Sequence, residues 1–186
     1  MYHISKDKRC LASANQMYEG LQKAMKEKPF TDITISDIQK YSYVARTTFY
    51  RDFDSIADIL YWKCDNCFKE VLDSFTQKEF LNEFAMLDHY FDYWMKHSDI
   101  LEQLIKINRI DIIYSCHSKN AEDLATKYGR LPNMNEVTSK YFLAIRTSLT
   151  IAILTTWIQG GKKETPGQIE KIIKETKVIR KASEAF

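Results

Sequence analysis

The chain has 186 residues, of which 45% are apolar and 13% aromatic, and its formal net charge is +2. This composition is typical of a folded protein, so it excludes a disordered chain and gives no bulk basic field that would attract a polyanion. With only 5 glycines and 3 prolines, the chain favours long helices over a β-sandwich.

The four cysteines have no spacing typical of a disulfide framework. The N-terminal residues lack the charged-then-apolar pattern of a signal peptide. The most apolar run, at 149–158, is interrupted by threonines and is far shorter than the ~20 residues that cross a bilayer. We therefore expect a cytoplasmic protein without a membrane segment.

Apolar residues recur with helical spacing along the chain, and no segment shows the sustained alternation of a strand. Phe80, Phe84, Leu87, Phe91 and Trp94, for example, form one apolar stripe. The pattern predicts an all-α protein of about nine helices, at 6–28, 34–41, 45–51, 55–74, 77–97, 99–108, 110–127, 134–159 and 166–182.

At the N-terminus of six predicted helices, a residue with a side-chain oxygen is followed three residues later by a carboxylate or an amide. This pair satisfies two backbone N–H groups at a helix N-terminus. Helix ends are marked by proline or glycine, as at Pro29 and Gly160. The six predicted capping pairs are Thr34 with Asp37, Ser55 with Asp58, Thr76 with Glu79, Asp99 with Glu102, Asn133 with Glu136 and Thr165 with Gln168.

The predicted helices at 34–41 and 45–51 are short and joined by only a few residues, an arrangement typical of a helix-turn-helix. In that motif the second helix enters the DNA major groove. Ile38, Phe49 and Phe53 would face a small core and leave the polar residues of the second helix outside. An exposed corner of an ordinary helical bundle is the alternative explanation for this stretch alone.

The run FTDITISDIQKYSYVARTTFYRDFDSIADIL, residues 30–60, resembles the DNA-binding region of tetracycline-repressor-type (TetR) transcriptional regulators. The matching elements are Phe30, Ile33-Thr34-Ile35, Asp37-Ile38, Val44, Thr48-Phe49-Tyr50, Phe53 and Leu60. The resemblance implies a DNA-binding domain at 1–53 and an antiparallel helical domain for effector binding and dimerisation at 54–186. It also implies a dimeric repressor that a small molecule releases from DNA.

This chain departs from that family at three positions. Tyr43 stands where the tight turn usually has glycine, and Ala45 stands where serine or threonine often opens the second helix. Ile56 stands where a lysine is common. A co-regulator of the same fold, with weak or no DNA binding, is therefore the alternative function.

Six residues are candidate DNA contacts. Arg46 is the candidate base contact, because one guanidinium can bond both O6 and N7 of guanine. Thr34 is placed to bind a phosphate at a helix N-terminus, and Arg51 is either a phosphate ligand or a solvated charge. The complete set is Thr34, Arg46, Thr47, Thr48, Tyr50 and Arg51.

A single short helix contacts only a few base pairs, so the expected operator is palindromic double-stranded DNA bound by a homodimer. The segment 137–158 suits the dimer interface, because small residues on one stripe would let two helices approach closely. These residues are Ala144, Ser148, Ala152 and Thr155. The alternative is a helix buried within one subunit.

Large aromatic residues recur along the middle helices, where the resemblance places the effector site. A cavity lined by rings would suit a small apolar or aromatic effector, whereas a packed core without ligand is the alternative. The candidate lining residues are Tyr61, Trp62, Phe68, Phe84, Phe91, Trp94, Tyr114 and Tyr141.

Cys64 and Cys67 share one helix face, and a core role is favoured there over a metal or redox role. No second cysteine pair and no histidine pair at ligand spacing accompanies them, so we expect no metal and no cofactor. The sequence has neither a nucleophile elbow nor a phosphate-binding loop. We therefore do not expect an enzyme.

Overall fold

The computed structural model describes residues 1–5, 7–76, 83–128 and 135–183. These residues form nine α-helices and a short 3-10 helix at Phe30–Asp32, which confirms the predicted all-α fold. Within the described ranges the chain has no strand, only an isolated antiparallel bridge between Tyr2 and Phe53. The helices are α1 Lys8–Glu27, α2 Ile35–Ser42, α3 Arg46–Asp52, α4 Ile56–Thr76, α5 Glu83–Lys96, α6 Asp99–Lys106, α7 Ile110–Tyr128, α8 Glu136–Gln159 and α9 Pro166–Ser183.

Local capping explains where α2 and α9 begin. Thr34 and Asp37 form the complete capping box at α2, with each side chain bonded to the other residue's backbone N–H. At the start of α9, Thr165 and Gln168 exchange the same two bonds. Both predicted pairs are confirmed, because a capping box needs only residues within one turn of helix.

The other four capping predictions have different outcomes. At Ser55 and Asp58 one bond of the pair forms, because the Ser55 N–H donates to the Asp58 carboxylate at 2.8 Å, while the Asp58 N–H donates to the Ser55 carbonyl oxygen. Asp99 is the first residue of α6 and follows Ser98, so its prediction as the cap is wrong. Asn135 caps α8 by accepting a 2.9 Å bond from the Thr138 N–H, whereas the predicted cap, Asn133, lies outside the described residues. Thr76 ends α4, and its predicted partner Glu79 also lies outside them.

Helices α1 to α3 form a three-helix head around a small apolar core. Met17 and Leu21 of α1, Ile38 of α2, and Phe49 of α3 are all buried, with at most 1% of each exposed. Phe53 follows α3 and is fully buried as well. These residues fix the orientation of α3, since Phe49 points inward from its centre.

Helices α1 and α2 approach each other closely at Gly20. A β-carbon there would lie 2.9 Å from the Ser42 β-carbon and 3.2 Å from the Ile38 carbonyl oxygen. Because Ile38 contributes a backbone atom, relief would require the two helices to separate. The head is therefore packed at a distance that only glycine allows at this position.

Gly20→Ala is expected to lower the free energy of unfolding by about 1–3 kcal/mol, because overpacking moves backbone. The better helix propensity of alanine would offset up to ~1 kcal/mol of that loss. Urea unfolding followed by circular dichroism would measure the change. Gly167→Ala is the control, since no atom lies within 4 Å of a β-carbon there. Equal stability of the two variants would contradict the close contact.

The turn between α2 and α3 contains Tyr43 in the left-handed conformation, with φ 59° and ψ 17°. This conformation costs a residue with a β-carbon roughly 1–2 kcal/mol, which is why glycine is usual there. The absence of glycine therefore does not change the turn. Tyr43 adopts the glycine-type backbone at a steric cost.

The remaining helices form a bundle that is arranged around α4. This helix contacts α1 in the head and α5, α6 and α7 in the bundle. Helix α7 also packs against α8, and α5 packs against α9. The largest fully buried side chains of the bundle are apolar, and they include Ile59, Leu60, Phe68, Trp94, Leu101, Leu104 and Ile113.

An N-terminal segment, residues 1–5, connects the head to the bundle. The His3 N–H donates to the Asp52 carbonyl oxygen at 2.8 Å, beside the end of α3. The Tyr2 hydroxyl donates to the buried carboxylate of Asp65 on α4 at 2.5 Å. Burial would raise the pKa of Asp65, but hydrogen bonds from Lys69, Tyr2 and Asn120 outweigh it and lower this pKa.

A second connection joins α1 to α6. The side-chain amides of Gln22 and Gln103 bond reciprocally, at 2.6 and 2.9 Å. An open groove of about 630 Å³ runs beside this pair and includes Met25, Phe30 and Lys106. The head and the bundle therefore contact each other at defined polar groups.

Candidate functional site

The outer surface of α3 presents Arg46, Thr47 and Tyr50 to solvent. Arg46 donates a 3.1 Å hydrogen bond to the Tyr50 hydroxyl, and its guanidinium carbon lies 5.6 Å from the centre of that ring. Thr48 is half-buried on the same helix. Arg46 and Tyr50 thus form one exposed cationic and aromatic unit, held in place by the buried Phe49 beneath them.

Thr34 lies at the N-terminus of α2, as predicted, but its hydroxyl is already engaged. It donates to the Asp37 carboxylate at 2.6 Å and accepts from the Asp37 N–H. Bonds from Thr34, followed by the ion pair with Lys28, lower the pKa of Asp37. A phosphate approaching Thr34 would meet this carboxylate, so the capping box competes with the predicted contact.

Arg51 is also engaged within the chain. Its guanidinium makes two bonds to the Asp52 carboxylate, at 2.7 and 3.0 Å. Asp52 is only 1% exposed, and its hydrogen bond to Arg51 raises the pKa of the guanidinium. Arg51 therefore neutralises a buried carboxylate of the head.

Three of the predicted effector-site residues come together in the bundle: Phe68, Phe91 and Trp94. The Phe68 and Trp94 ring centres are 4.7 Å apart. Tyr90 contacts both Phe91 and Trp94, at 5.8 and 6.2 Å, and His117 contacts Phe68 at 5.4 Å. We call these five residues the aromatic cluster. Tyr90 was missed, although its spacing of four residues from Trp94 would have indicated a shared helix face.

The other predicted effector-site residues lie elsewhere. Tyr61 packs against Tyr2, and Trp62 packs against Phe53 at the junction with the head. Tyr114 and Tyr141 lie on the surface of the single chain, 37% and 69% exposed. The side chain of the remaining candidate, Phe84, lies outside the described part of the structure.

Buried polar atoms within the aromatic cluster lack partners. Neither the Tyr90 hydroxyl oxygen nor the Trp94 indole nitrogen has a hydrogen-bond partner of acceptable geometry. Burial raises the pKa of Tyr90, while the adjacent indole lowers it slightly. The pair is therefore a neutral polar patch inside an apolar environment, where an unmade hydrogen bond costs free energy.

His117 is the titratable group of this cluster. Its ring nitrogen Nδ1 lies 3.1 Å from the Thr147 hydroxyl. Burial, and secondarily the charge of Arg146, lowers the pKa of His117 from 6.5 to about 4. His117 is consequently neutral at physiological pH.

Lowering the pH through 6.5 toward 4 is expected to destabilise the protein, because the unfolded chain binds a proton at His117 before the folded chain does. At about 1.4 kcal/mol per pKa unit, the full loss through this group is about 3 kcal/mol. We expect His117→Gln to flatten the dependence of the unfolding free energy on pH within that window. His97→Gln, at an exposed histidine, is the control. A slope unchanged in His117→Gln would contradict the assignment.

Cys64 and Cys67 are buried in α4, and burial raises the pKa of both thiols. Thiols in this state are poor nucleophiles and poor metal ligands. Among the described residues, no three histidine, cysteine or acidic side chains are grouped to hold a metal ion.

Helix α8 exposes an apolar stripe beside the predicted small residues. Val137, Tyr141, Ile145 and Leu149 recur every four residues and are each at least 54% exposed. Of the predicted small residues, Ser148 and Ala152 are exposed beside this stripe, whereas Ala144 and Thr155 are half-buried. The dimer interface on this helix stays a prediction.

Helix α8 is also, among the described helices, long and apolar enough by length and composition to cross a bilayer. The apolar run considered in the sequence, 149–158, was shorter. One such helix is weak evidence for a membrane span, because core helices of soluble proteins meet the same criterion.

No protein-family model matches the chain, and no curated protein matches it significantly. Among solved structures, the chain is similar to the crystal structure of Lin0861 from Listeria innocua. The TM-score is 0.79 with 16% sequence identity, and the match covers 95% of this chain and 95% of that one. At this identity the likeness concerns the fold alone. The all-α architecture is thus shared over nearly the full length of both chains.

Proposed function

We propose that this protein is a dimeric, sequence-specific DNA-binding regulator of the TetR type, and that a small-molecule effector releases it from DNA. The observation that most directly supports this proposal is the surface of α3. There Arg46 and Tyr50 are exposed and hydrogen-bonded to each other, while the buried Phe49 fixes the orientation of the helix. A short helix presented in this way after a tight turn fits the major groove. Repression is the role that the TetR resemblance implies.

A homodimer follows from the same proposal. The α8 stripe leaves four large apolar side chains exposed on one chain, with Ile172 of α9 52% exposed as well. A second copy of the same stripe, related by a two-fold axis, would cover these side chains. Such a dimer would bring two α3 helices to one face of a palindromic operator.

The effector would bind in the bundle and change how the head is held. The unpartnered atoms of Tyr90 and Trp94 would be satisfied by a neutral ligand with hydrogen-bonding groups. Helix α4 joins the aromatic cluster, through Phe68, to the Asp65 network that holds Tyr2. Movement of α4 would therefore reach the N-terminal segment beside α3, which is the coupling that allostery needs.

A co-regulator with weak or no DNA binding is the second candidate. The observation in its favour is the internal engagement of two predicted phosphate contacts, Thr34 and Arg51. Ala45 also leaves the start of α3 without a side-chain cap. These features reduce the number of cationic and neutral phosphate donors that the head offers to DNA.

Selection of bound duplexes from a random library separates the two functions. The regulator is expected to enrich a palindromic motif with half-sites about one helical turn apart. Recovery of no motif by a folded, dimeric protein would favour the co-regulator. The same selection with Arg46→Ala tests the base contact.

A further inference from the structure

The stability of the fold does not account for the presence of a tyrosine at position 43. Its backbone is left-handed, at φ 59°, where glycine would be more stable because it has no β-carbon. The Tyr43 side chain is 92% exposed, so it buries almost no apolar surface. Its N–H caps α2 by donating to the Gln39 carbonyl oxygen at 2.9 Å, a bond that any residue except proline could make.

The turn anchors the backbone on both sides of Tyr43 and directs its side chain outward. Ser42, before it, is buried, and Val44, after it, is half-buried against the core. The Ser42 hydroxyl oxygen also accepts a 3.2 Å bond from the Val44 N–H. An exposed ring on a strained, well-anchored turn is an outlier of the kind that marks functional positions.

Tyr43 is placed beside the proposed DNA-binding surface. It precedes Arg46 by three residues, and Tyr43 and Tyr50 are the two highly exposed tyrosines of the head. Two cations of the head are committed within the chain. Lys28 is paired with Asp37 at 2.9 Å, and Arg51 is paired with Asp52. A neutral donor would replace phosphate contacts that these two cations could otherwise supply.

We propose that Tyr43 is an additional DNA contact, whose hydroxyl donates a hydrogen bond to a backbone phosphate beside the groove that receives α3. This inference rests on the proposed DNA-binding function. Tyrosine hydroxyls are among the groups that bond phosphate oxygens, and such contacts set the position of a protein on DNA without selecting bases. The side chain would then be retained for binding at the expense of stability.

Tyr43→Gly is expected to have opposite effects on stability and on binding. Removing the strain should raise the Tm by about 1–4 °C. Loss of the hydroxyl should weaken binding of the selected operator by about tenfold or more. A purely structural tyrosine would not give both changes, because its removal would lower the Tm.

Tyr43→Phe isolates the hydroxyl. Its Tm should equal that of the wild type, and its affinity should fall nearly as far as that of Tyr43→Gly. The selected motif and the slope of log affinity against log salt should both stay unchanged, because a neutral donor displaces no counterion. Tyr93→Phe, which removes a hydroxyl that donates to Glu70 in the bundle, is the matched control and should bind as the wild type does.

The outcomes separate this inference from the proposed function. Wild-type operator affinity in Tyr43→Phe would overturn the phosphate contact and leave the DNA-binding function standing. A lower Tm in Tyr43→Gly would show that the side chain is structural. Absence of any enriched duplex with the wild-type protein would overturn the DNA-binding function and this inference together.

Discussion

Arg46→Ala is expected to weaken binding of the operator by ~30-fold or more and to remove one base preference from each half-site. A bidentate contact from a guanidinium to guanine contributes ~1–3 kcal/mol of discrimination, and a dimer makes this contact twice. Arg46 is exposed, and its guanidinium bonds the exposed Tyr50 side chain on the same helix, so its removal should leave the fold intact. Fluorescence anisotropy with the selected duplex would measure the affinity.

Arg46→Lys separates charge from base recognition. Lysine keeps the positive charge but cannot reproduce the planar fork of the guanidinium. We therefore expect it to retain non-specific affinity and salt dependence while losing preference at the same base position. Lys96→Ala on α5 removes one charge from an exposed residue of the bundle and is the matched control. Selection of the wild-type motif by Arg46→Ala would show that α3 does not contact bases through Arg46.

Ile145→Asp is expected to convert the dimer into a folded monomer. Ile145 is 65% exposed on a single chain, so the substitution disturbs little within the subunit. In a two-fold dimer each copy would place a carboxylate in an apolar interface, where an unpaired charge is strongly unfavourable. Sedimentation velocity at micromolar concentration should show the molar mass falling by half, with helicity unchanged.

The control for this variant is Leu11→Asp, which places the same charge on a partly exposed leucine of α1 in the head. It should remain dimeric. The Ile145→Asp monomer should also lose most of its operator affinity, because each half-site would bind independently. A dimer that persists in Ile145→Asp would place the interface elsewhere, and a monomeric wild-type protein would contradict the dimer itself.

The sequence by itself determined the elements and the architecture of the head. The start of α2 depends on Thr34 and Asp37, which are three residues apart, so a local pattern contains all the information required. The inward position of Phe49 follows from helical periodicity in the same way. Local hydrogen bonding and the period of the helix therefore make these features predictable, including the outward position of Arg46.

Only the tertiary structure decided which groups were available for function. The bond from Tyr2 to Asp65 joins residues 63 positions apart, and no local pattern encodes such a contact. The burial of Asp52, the carboxylate that Arg51 neutralises, likewise depends on the packing of the rest of the head.

Helix α8 is the clearest case of a feature that local sequence patterns did not predict. It is apolar on nearly all sides, so periodicity does not indicate which face is buried. Thr147, Ile151 and Leu154 pack inward while Tyr141 and Ile145 remain outside. Contacts with neighbouring helices choose the rotation of such a helix, because the hydrophobic effect depends on buried area and has no intrinsic direction.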